Sequence, residues 1–224
     1  VSQFFGAKEE DKVNATIANS IYVLGVAAIL VSLVGIIFAP AILQLLRTPA
    51  EILGDAVIYM WTTCAGTIAI VAYNGVASIL RALGDSKTPL YFLIISSLIN
   101  VGLDLLFVLV FYMGVVGVAV ATIIAQAVSA ITCVIYAYKK VPYFRLTKEQ
   151  MKPRRQLIYR TIRLGVPIAL QNSMIAVSCM ALQGVVNSYG KTVMAAYTVT
   201  NRVEQIIQQP FGSLSVALTT YAGQ

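Results

Sequence analysis

The fold is decided by residues 88–138, which read TPLYFLIISSLINVGLDLLFVLVFYMGVVGVAVATIIAQAVSAITCVIYAY. Asp104 is the single charged side chain in this stretch. Its length suits two helices that each cross a bilayer, since about 20 apolar residues span the roughly 30 Å hydrocarbon core. A charge near the bilayer centre costs roughly 2.5–3.5 kcal/mol on insertion scales. We therefore expect two membrane-spanning helices and a functional reason for Asp104, such as ion coupling, a proton relay or a substrate path.

The composition of the 224-residue chain indicates the same lipid environment. Hydrophobic residues make up 58% of it and charged residues 11%, whereas a soluble domain carries about 25% charged residues. The net charge of +7 would suit nucleic acid, but the basic residues lie between apolar spans. We therefore expect the lipid bilayer, and not nucleic acid, as a partner. The absence of histidine excludes histidine-based catalysis and histidine metal sites.

Hydropathy divides the chain into six predicted membrane-spanning helices, so the predicted fold class is an all-α polytopic bundle. The predicted spans are residues 14–46, 52–80, 89–112, 115–138, 164–189 and 193–222. Between them we expect loops at 6–12, 47–51, 81–88, 113–114 and 190–192 and a basic linker at 139–163. Proline predicts a kink near Pro40 and an interruption of the last span at Pro210.

The distribution of basic residues predicts the orientation. Thirteen of the sixteen lysines and arginines fall in loops 6–12 and 81–88 and in linker 139–163, which alternate onto one side. The positive-inside rule places that side in the cytoplasm, so we expect a multi-pass protein of the cell membrane. For the linker we expect a flexible, positively charged tether, with recognition of anionic lipid as the alternative.

The most specific string in the chain is LRALGDSKTPL at residues 80–90. Gly84 permits the backbone to reverse, Asp85 can cap the next turn, and Arg81 and Lys87 anchor the loop on the basic side. The string resembles the loop between the fourth and fifth helices of the multidrug and toxic compound extrusion (MATE) transporters. Other strings resemble that family at matching places: VSQFFGA at 1–7, GVVGVAVAT at 114–122, LGVP at 164–167, AAY at 195–197, NRVE at 201–204, Pro210 and Gly223-Gln224.

The resemblance implies a twelve-helix transporter made of two six-helix bundles related by a pseudo-two-fold axis along the membrane normal. Residues 1–138 would then hold the end of helix 2 and helices 3–6 of the N-terminal bundle. Residues 139–163 would link the bundles, and residues 164–224 would begin the C-terminal bundle with helices 7 and 8. Gln3 and Gln224 would be equivalent positions. Helices 1, 2 and 9–12 would come from the rest of the same polypeptide, and we expect this chain not to transport without them.

The resemblance also implies a coupling site. In the archaeal-type and DNA-damage-inducible branches, the cation site uses an aspartate on helix 1, an asparagine and an aspartate one turn apart on helix 5, and a threonine on helix 6. The last three match Asn100, Asp104 and Thr122. Their oxygens suit Na⁺, and a carboxylate in a dry bundle also holds a proton. We expect no cofactor beyond the coupling ion. The other main branch uses a glutamate on helix 7, but residues 164–189 contain no acidic residue.

Other polar residues in the spans are candidates for a substrate path. They are Tyr73, Asn74, Ser97, Gln126, Gln171 and Asn172. Each has the alternative role of a hydrogen-bonding contact between helices. A stripe of small residues, Gly117, Ala121 and Ala125, predicts that another helix approaches the fourth span closely.

The predicted function is a Na⁺- or H⁺-coupled antiporter that exports small organic, mainly cationic, drugs and toxic compounds by alternating access. The alternative within the same superfamily is a lipid-linked oligosaccharide flippase. A flippase would be expected to line its cavity with arginines, but Arg202 is the single arginine within a predicted span. We do not expect an enzyme, because the spans offer one deep carboxylate and no histidine. A membrane scaffold would leave the cost of burying Asp104 unexplained.

Overall fold

The computed structural model describes residues 1–45, 50–147, 149–189 and 191–223, and its regular elements are helices. They are α1 (Ser2–Gly6), α2 (Glu10–Leu45), α3 (Ala50–Ala65), α4 (Thr67–Ala82), α5 (Lys87–Leu105), a π-helix (Leu106–Val110), α6 (Gly114–Lys140), a 3₁₀ helix (Pro142–Phe144), α7 (Arg155–Ser188) and α8 (Lys191–Gly223). The predicted all-α fold is confirmed. The predicted turns at Thr48-Pro49 and Gly190, and position Gln224, lie outside the described residues.

The chain forms two compact units, Val1–Arg154 and Arg155–Gln224, which we call unit 1 and unit 2. In unit 1, α6 packs against α3, α4 and α5, and α2 packs against α3 and α4. In unit 2, α7 packs against α8.

Five of the six predicted spans are long and apolar enough to cross a membrane in the part of the chain that the structure describes. They are α2, α5 with its π-helical extension, α6, α7, and α3 and α4 taken together. The sixth, α8, is 33 residues long but falls outside that set because NRVEQIIQQ at 201–209 is polar. All three helices that contain an internal proline, α2, α7 and α8, continue through it. The predicted interruption at Pro210 is therefore wrong, because proline removes one N–H donor and the remaining helical hydrogen bonds persist.

The second predicted span is not one straight helix, because α3 and α4 meet at Gly66 with a 42° bend. A Cβ atom at Gly66 would clash with the Ile123 side chain on α6. Glycine thus lets the side chain of α6 reach the backbone at the bend. The predicted helix over residues 52–80 is therefore broken at Gly66, a break that an isolated glycine in an apolar run does not by itself indicate.

The loop between α4 and α5 has the local chemistry that its sequence predicts. Gly84 has a φ of +94°, which favours glycine, and Oδ1 of Asp85 accepts a hydrogen bond from the Thr88 N–H at 3.0 Å. α5 begins at Lys87, two residues before the predicted start. Asp104 therefore lies about 26 Å along the helix from its start, instead of the expected 22 Å or so.

The three segments that were expected on one side of the membrane meet at one end of unit 1. Val13 and Ile17 of α2 and Ile79 of α4 form a buried cluster there. Side chains from the start of the chain and α1, from the loop after α4 and from the segment after α6 pack against it: Val1, Phe4, Phe5, Leu83, Tyr143 and Phe144. We call this end, defined by residues 6–12, 81–88 and 139–145, the basic end.

The segment between α6 and α7 is shorter than predicted and is bound to α2. It covers residues 141–154, because α6 continues to Lys140 and α7 begins at Arg155. Four hydrogen bonds hold it: Tyr143 Oη to Glu10 Oε1 at 3.3 Å, Gln150 Nε2 to Asp11 Oδ1 at 3.4 Å, Tyr22 Oη to the Met151 carbonyl at 3.0 Å, and the Arg154 N–H to Asn19 Oδ1 at 2.8 Å. This segment is therefore bonded along α2 instead of hanging free as a tether.

Candidate functional site

The predicted coupling residues lie where α5 and α6 face each other. Residue numbers rise along α5 as those of their partners fall along α6, so the two helices are antiparallel. The register is set by four contacts: Thr88 with Tyr136, Phe92 with Ser129, Ser96 with Ala125, and Asn100 with Thr122. We call the facing surfaces that hold these residues, Gln126 and Asp104 the α5–α6 seam.

Small residues make the close packing of α6 possible. Gly117, Ala121 and Ala125 are buried, and Ala121 is 0% exposed. A Cβ atom at Gly117 would lie 2.9 Å from the Met113 Cβ and 3.0 Å from the Phe107 Cβ. The predicted small-residue stripe is therefore a packing surface of α6.

The structure brings two of the three predicted coupling residues into direct contact. Nδ2 of Asn100 donates to Oγ1 of Thr122 at 3.4 Å. The Thr122 hydroxyl in turn donates to the Val118 carbonyl, one turn earlier in α6, at 2.9 Å. The hydroxyl hydrogen of Thr122 is thus committed to its own helix, while its oxygen faces Asn100.

Asp104, the third predicted coupling residue, lies one helical turn beyond Asn100, away from the basic end. Its Oδ1 atom is buried, and none of the described residues donates a hydrogen bond to it. A buried acceptor without a partner costs about 1–3 kcal/mol. This oxygen is therefore positioned to take a proton or a cation, which would remove that cost.

The backbone changes its helical form directly after Asp104. α5 ends at Leu105, and residues Leu106–Val110 form a π-helix, in which the Phe111 N–H donates to the Leu106 carbonyl at 3.1 Å. Short π-helical segments are rare in proteins, and those that do occur are often found at functional sites. This π-helix was not predicted, because the apolar string LFVLV carries no signal for it.

Gln126 provides a second buried oxygen on the same seam. It lies one turn from Thr122 toward the basic end, between Thr122 and Ser129, both of which contact α5. Its Oε1 atom is buried and receives no hydrogen bond from the described residues. Gln126, predicted for a substrate path, therefore belongs with Asn100, Asp104 and Thr122.

The serine hydroxyls of the seam, unlike the Gln126 oxygen, are paired. Ser96 Oγ donates to the Ala125 carbonyl at 2.8 Å, and Ser129 Oγ donates to the Phe92 carbonyl at 3.5 Å. Tyr73, a predicted path residue, is buried against this region and donates to the Pro89 carbonyl at 2.9 Å. Tyr73 is thus part of the packed core of unit 1.

The remaining path candidates lie elsewhere. Asn74 is exposed on α4, donates to the Ile70 carbonyl at 2.8 Å, and lines a cavity of about 450 Å³ with Ser20 and Ser78. Ser97 is exposed on α5. Gln171 and Asn172 are exposed on α7 in unit 2.

Curated relatives resemble the whole length of the chain. The chain is 29% identical over 231 residues to the probable multidrug resistance protein YoeA of Bacillus subtilis, which covers 100% of this chain and 50% of the relative. It is 34% identical over 191 residues to the probable multidrug resistance protein YpnP of the same species, which covers 85% of this chain and 42% of the relative. The chain thus spans about half the length of the relatives it matches.

Solved transporters share the fold. A MOP superfamily transporter from Pyrococcus furiosus superposes with a TM-score of 0.89 at 21% identity, over 98% of this chain and 49% of that one. A multidrug resistance MATE family transporter in its outward-facing conformation superposes with a TM-score of 0.85 at 22% identity, over 98% and 49%. The family model MatE matches residues 1–106 and 167–224. The chain therefore belongs to the MatE family, whose members are membrane transporters and not enzymes.

Proposed function

We propose that this chain forms part of a cation-coupled antiporter that exports small organic, mainly cationic, compounds. The observation that carries the proposal is the unpaired Oδ1 atom of Asp104 beside the Asn100–Thr122 contact. Occupation by Na⁺ or H⁺ would neutralise a charge held in a medium of low dielectric constant. Because a ligand shifts a conformational equilibrium by its difference in affinity for the two states, this neutralisation couples ion binding to alternating access.

The polarity of unit 1 supports the direction of transport. The three segments that carry most of the basic residues of unit 1 meet at the basic end, and we place this end in the cytoplasm of a cell whose plasma membrane holds the protein. Asp104 lies near the opposite end of α5. External ions would therefore reach it from the outside, as an inward-directed driving ion requires.

The cavity beside Asn74 supports an organic substrate. It is lined by neutral polar side chains, Ser20, Asn74 and Ser78, and by apolar ones such as Leu24 and Val71. Its volume of about 450 Å³ falls within the range of roughly 300–1,000 Å³ typical of small-molecule pockets. The names of the two relatives from Bacillus subtilis, both multidrug resistance proteins, agree with this substrate class.

The chain would act together with the remaining helices of a twelve-helix polypeptide, because it spans about half of its relatives. Gln171 and Asn172 of α7 would then contribute to the substrate path from the second bundle. An oligosaccharide flippase is less well supported, because the cavity beside Asn74 is lined by neutral side chains.

The test is efflux of a fluorescent organic cation from proteoliposomes that contain the complete transporter, driven by a Na⁺ or a H⁺ gradient. Asp104→Asn keeps the size of the side chain and removes its charge, so we expect it to insert normally and to lose gradient-driven efflux. Asp55→Asn, at an exposed position of α3, is the matched control and should retain it. Undiminished efflux by Asp104→Asn would refute coupling through this residue. Flux that depends on neither the Na⁺ nor the H⁺ gradient in any variant would support the flippase instead.

A further inference from the structure

Two unpaired oxygens flank the Asn100–Thr122 contact on the α5–α6 seam. Asp104 lies one turn beyond Asn100 on α5, and Gln126 lies one turn beyond Thr122 on α6. Because the helices are antiparallel, the two residues are displaced in opposite directions, each by about 6 Å along the helix axes. Oδ1 of Asp104 and Oε1 of Gln126 are both buried and lack a donor among the described residues.

We propose that Gln126 is a second oxygen ligand, about 12 Å from Asp104 along the seam, which the coupling ion meets on its path, and that this ion is Na⁺. This inference rests on the proposed function and deepens its Asp104 site. An amide oxygen takes up no proton near neutral pH, but it is a good ligand for a hard cation. An unpaired amide oxygen in the seam therefore has a use in a Na⁺ path and none as a carrier in a proton relay.

The hydroxyl groups of the seam are arranged in the same way. The Thr122 hydrogen is donated to the Val118 carbonyl and the Ser96 hydrogen to the Ala125 carbonyl. A hydroxyl in such an arrangement offers its oxygen lone pairs to neighbours and keeps its proton within the backbone contact. The oxygens, rather than the protons, are thus available along the seam, as a metal cation requires.

The positions also give the path a direction. From Asp104 a cation would pass the Asn100–Thr122 contact and reach Gln126, which lies closer to the basic end. Beyond Gln126 the next polar contacts of the seam, Ser129 with Phe92 and Thr88 with Tyr136, are closed by hydrogen bonds. Gln126 is therefore the innermost of the unpaired seam oxygens in the described residues, and the place from which the ion would leave for the cytoplasm.

The experiment measures the Na⁺ concentration that gives half-maximal efflux by the complete transporter in proteoliposomes at fixed pH. Gln126→Met keeps the length of the side chain and removes the oxygen. We expect it to raise the half-saturating Na⁺ concentration at least about tenfold, since loss of even an outer-shell partner lowers metal affinity by that amount. The maximal rate at saturating Na⁺ should persist. Gln44→Met, at an exposed position of α2, is the matched control and should leave the half-saturating concentration unchanged.

Gln126→Glu keeps an oxygen ligand and should bind Na⁺ at least as tightly as the wild type. This variant also decides the question if Gln126→Met fails to insert, because a raised half-saturating concentration in Gln126→Glu would then overturn the inference. A Gln126→Met variant indistinguishable from the wild type would overturn it too, as would wild-type efflux that responds to a H⁺ gradient and not to Na⁺. These results leave coupling through Asp104 intact, whereas undiminished efflux by Asp104→Asn would remove the proposed function itself.

Discussion

The two halves of the α5–α6 seam use similar polar side chains in opposite ways. Toward the basic end, Ser96 and Ser129 each donate to a backbone carbonyl of the facing helix. Toward the other end, Asp104 presents a buried oxygen that no described residue satisfies, and Gln126, which follows Ala125 on α6 at the boundary of the two halves, presents another. One pair of helices therefore contains a saturated region and a region with open acceptors.

Polar side chains in a membrane helix can therefore serve packing, when they are paired, or ligand binding, when they are unpaired. A hydroxyl that bonds a neighbouring backbone stabilises helix packing by a small amount, on average about 0.6 kcal/mol in a membrane. An unpaired buried acceptor instead lowers stability until a ligand arrives. The position of a polar residue in a span is thus less informative about function than whether its hydrogen bonds are already made.

Gly66 and Gly102 both lie near the unpaired oxygen of Asp104 or the Thr122 contact, but they differ in how closely they are packed. Substitution of Gly66 gives the largest stability effect that we expect. Gly66 contacts Ile123, the residue after Thr122, whereas a Cβ atom at Gly102, between Asn100 and Asp104, would meet no described atom within 4 Å. Gly66→Ala should therefore destabilise the protein by about 1–3 kcal/mol through overpacking. It should also lower coupled efflux by displacing α6. Thermal unfolding in detergent and proteoliposome efflux measure the two effects.

Gly102→Ala is the control for that change. Because alanine is favoured over glycine inside a helix by roughly 1 kcal/mol or less, this variant should be as stable as the wild type or slightly more stable. If Gly66→Ala and Gly102→Ala unfolded at the same temperature, the bend at Gly66 would not depend on close approach to Ile123.

The saturated half predicts a loss of stability without a loss of transport. Ser96 is 4% exposed, and its hydroxyl donates to the Ala125 carbonyl. Ser96→Ala should cost about 0.5–1.5 kcal/mol of stability and retain gradient-driven efflux. Thr132→Ala removes an exposed hydroxyl that bonds within α6 and should cost less. If Ser96→Ala inserted normally but lost gradient-driven efflux, the paired hydroxyls would also be needed for transport, and the difference between the two halves would not hold.

Local chemistry in the sequence was enough to predict much of the fold and to propose the first members of the candidate site. Gly84 and Asp85 act in their turn through backbone geometry and one short contact, which the string itself specifies. Asn100 and Asp104 were found because helical periodicity places them on one face and a buried charge is costly. Thr122 came from the family resemblance, and the structure places it in contact with Asn100.

The features that were missed depend on contacts between distant residues. At the bend, Gly66 is approached closely by Ile123, on another helix. The segment before α7 is held by bonds such as that from Tyr22 to Met151, which are 129 positions apart. Gln126 joins the proposed ion path because its oxygen has no donor among the described residues, a property of the packed seam that no periodic pattern reveals.

The smallest effect that we expect concerns the hydrogen bond from Tyr143 to Glu10, which helps to hold the segment after α6 against α2. Burial, the charge of Glu10 and the hydrogen bond to Glu10 together raise the pKa of Tyr143 above its ordinary value of 10.0. A raised pKa in the folded state means that the contact contributes fully below the unfolded value and is lost as the pH rises through the folded value. The contact should therefore persist at neutral pH and break above about pH 10.

Difference titration of tyrosinate absorbance between the wild type and Tyr143→Phe isolates this group. We expect its midpoint to lie above 10.0 and to fall in Glu10→Gln, which removes both the charge and the acceptor that favour the neutral phenol. Tyr143→Phe should cost less than about 1 kcal/mol of stability, because the contact is exposed to solvent. A midpoint that Glu10→Gln leaves unchanged would mean that Glu10 does not hold this segment, and that the saturated region ends with α6.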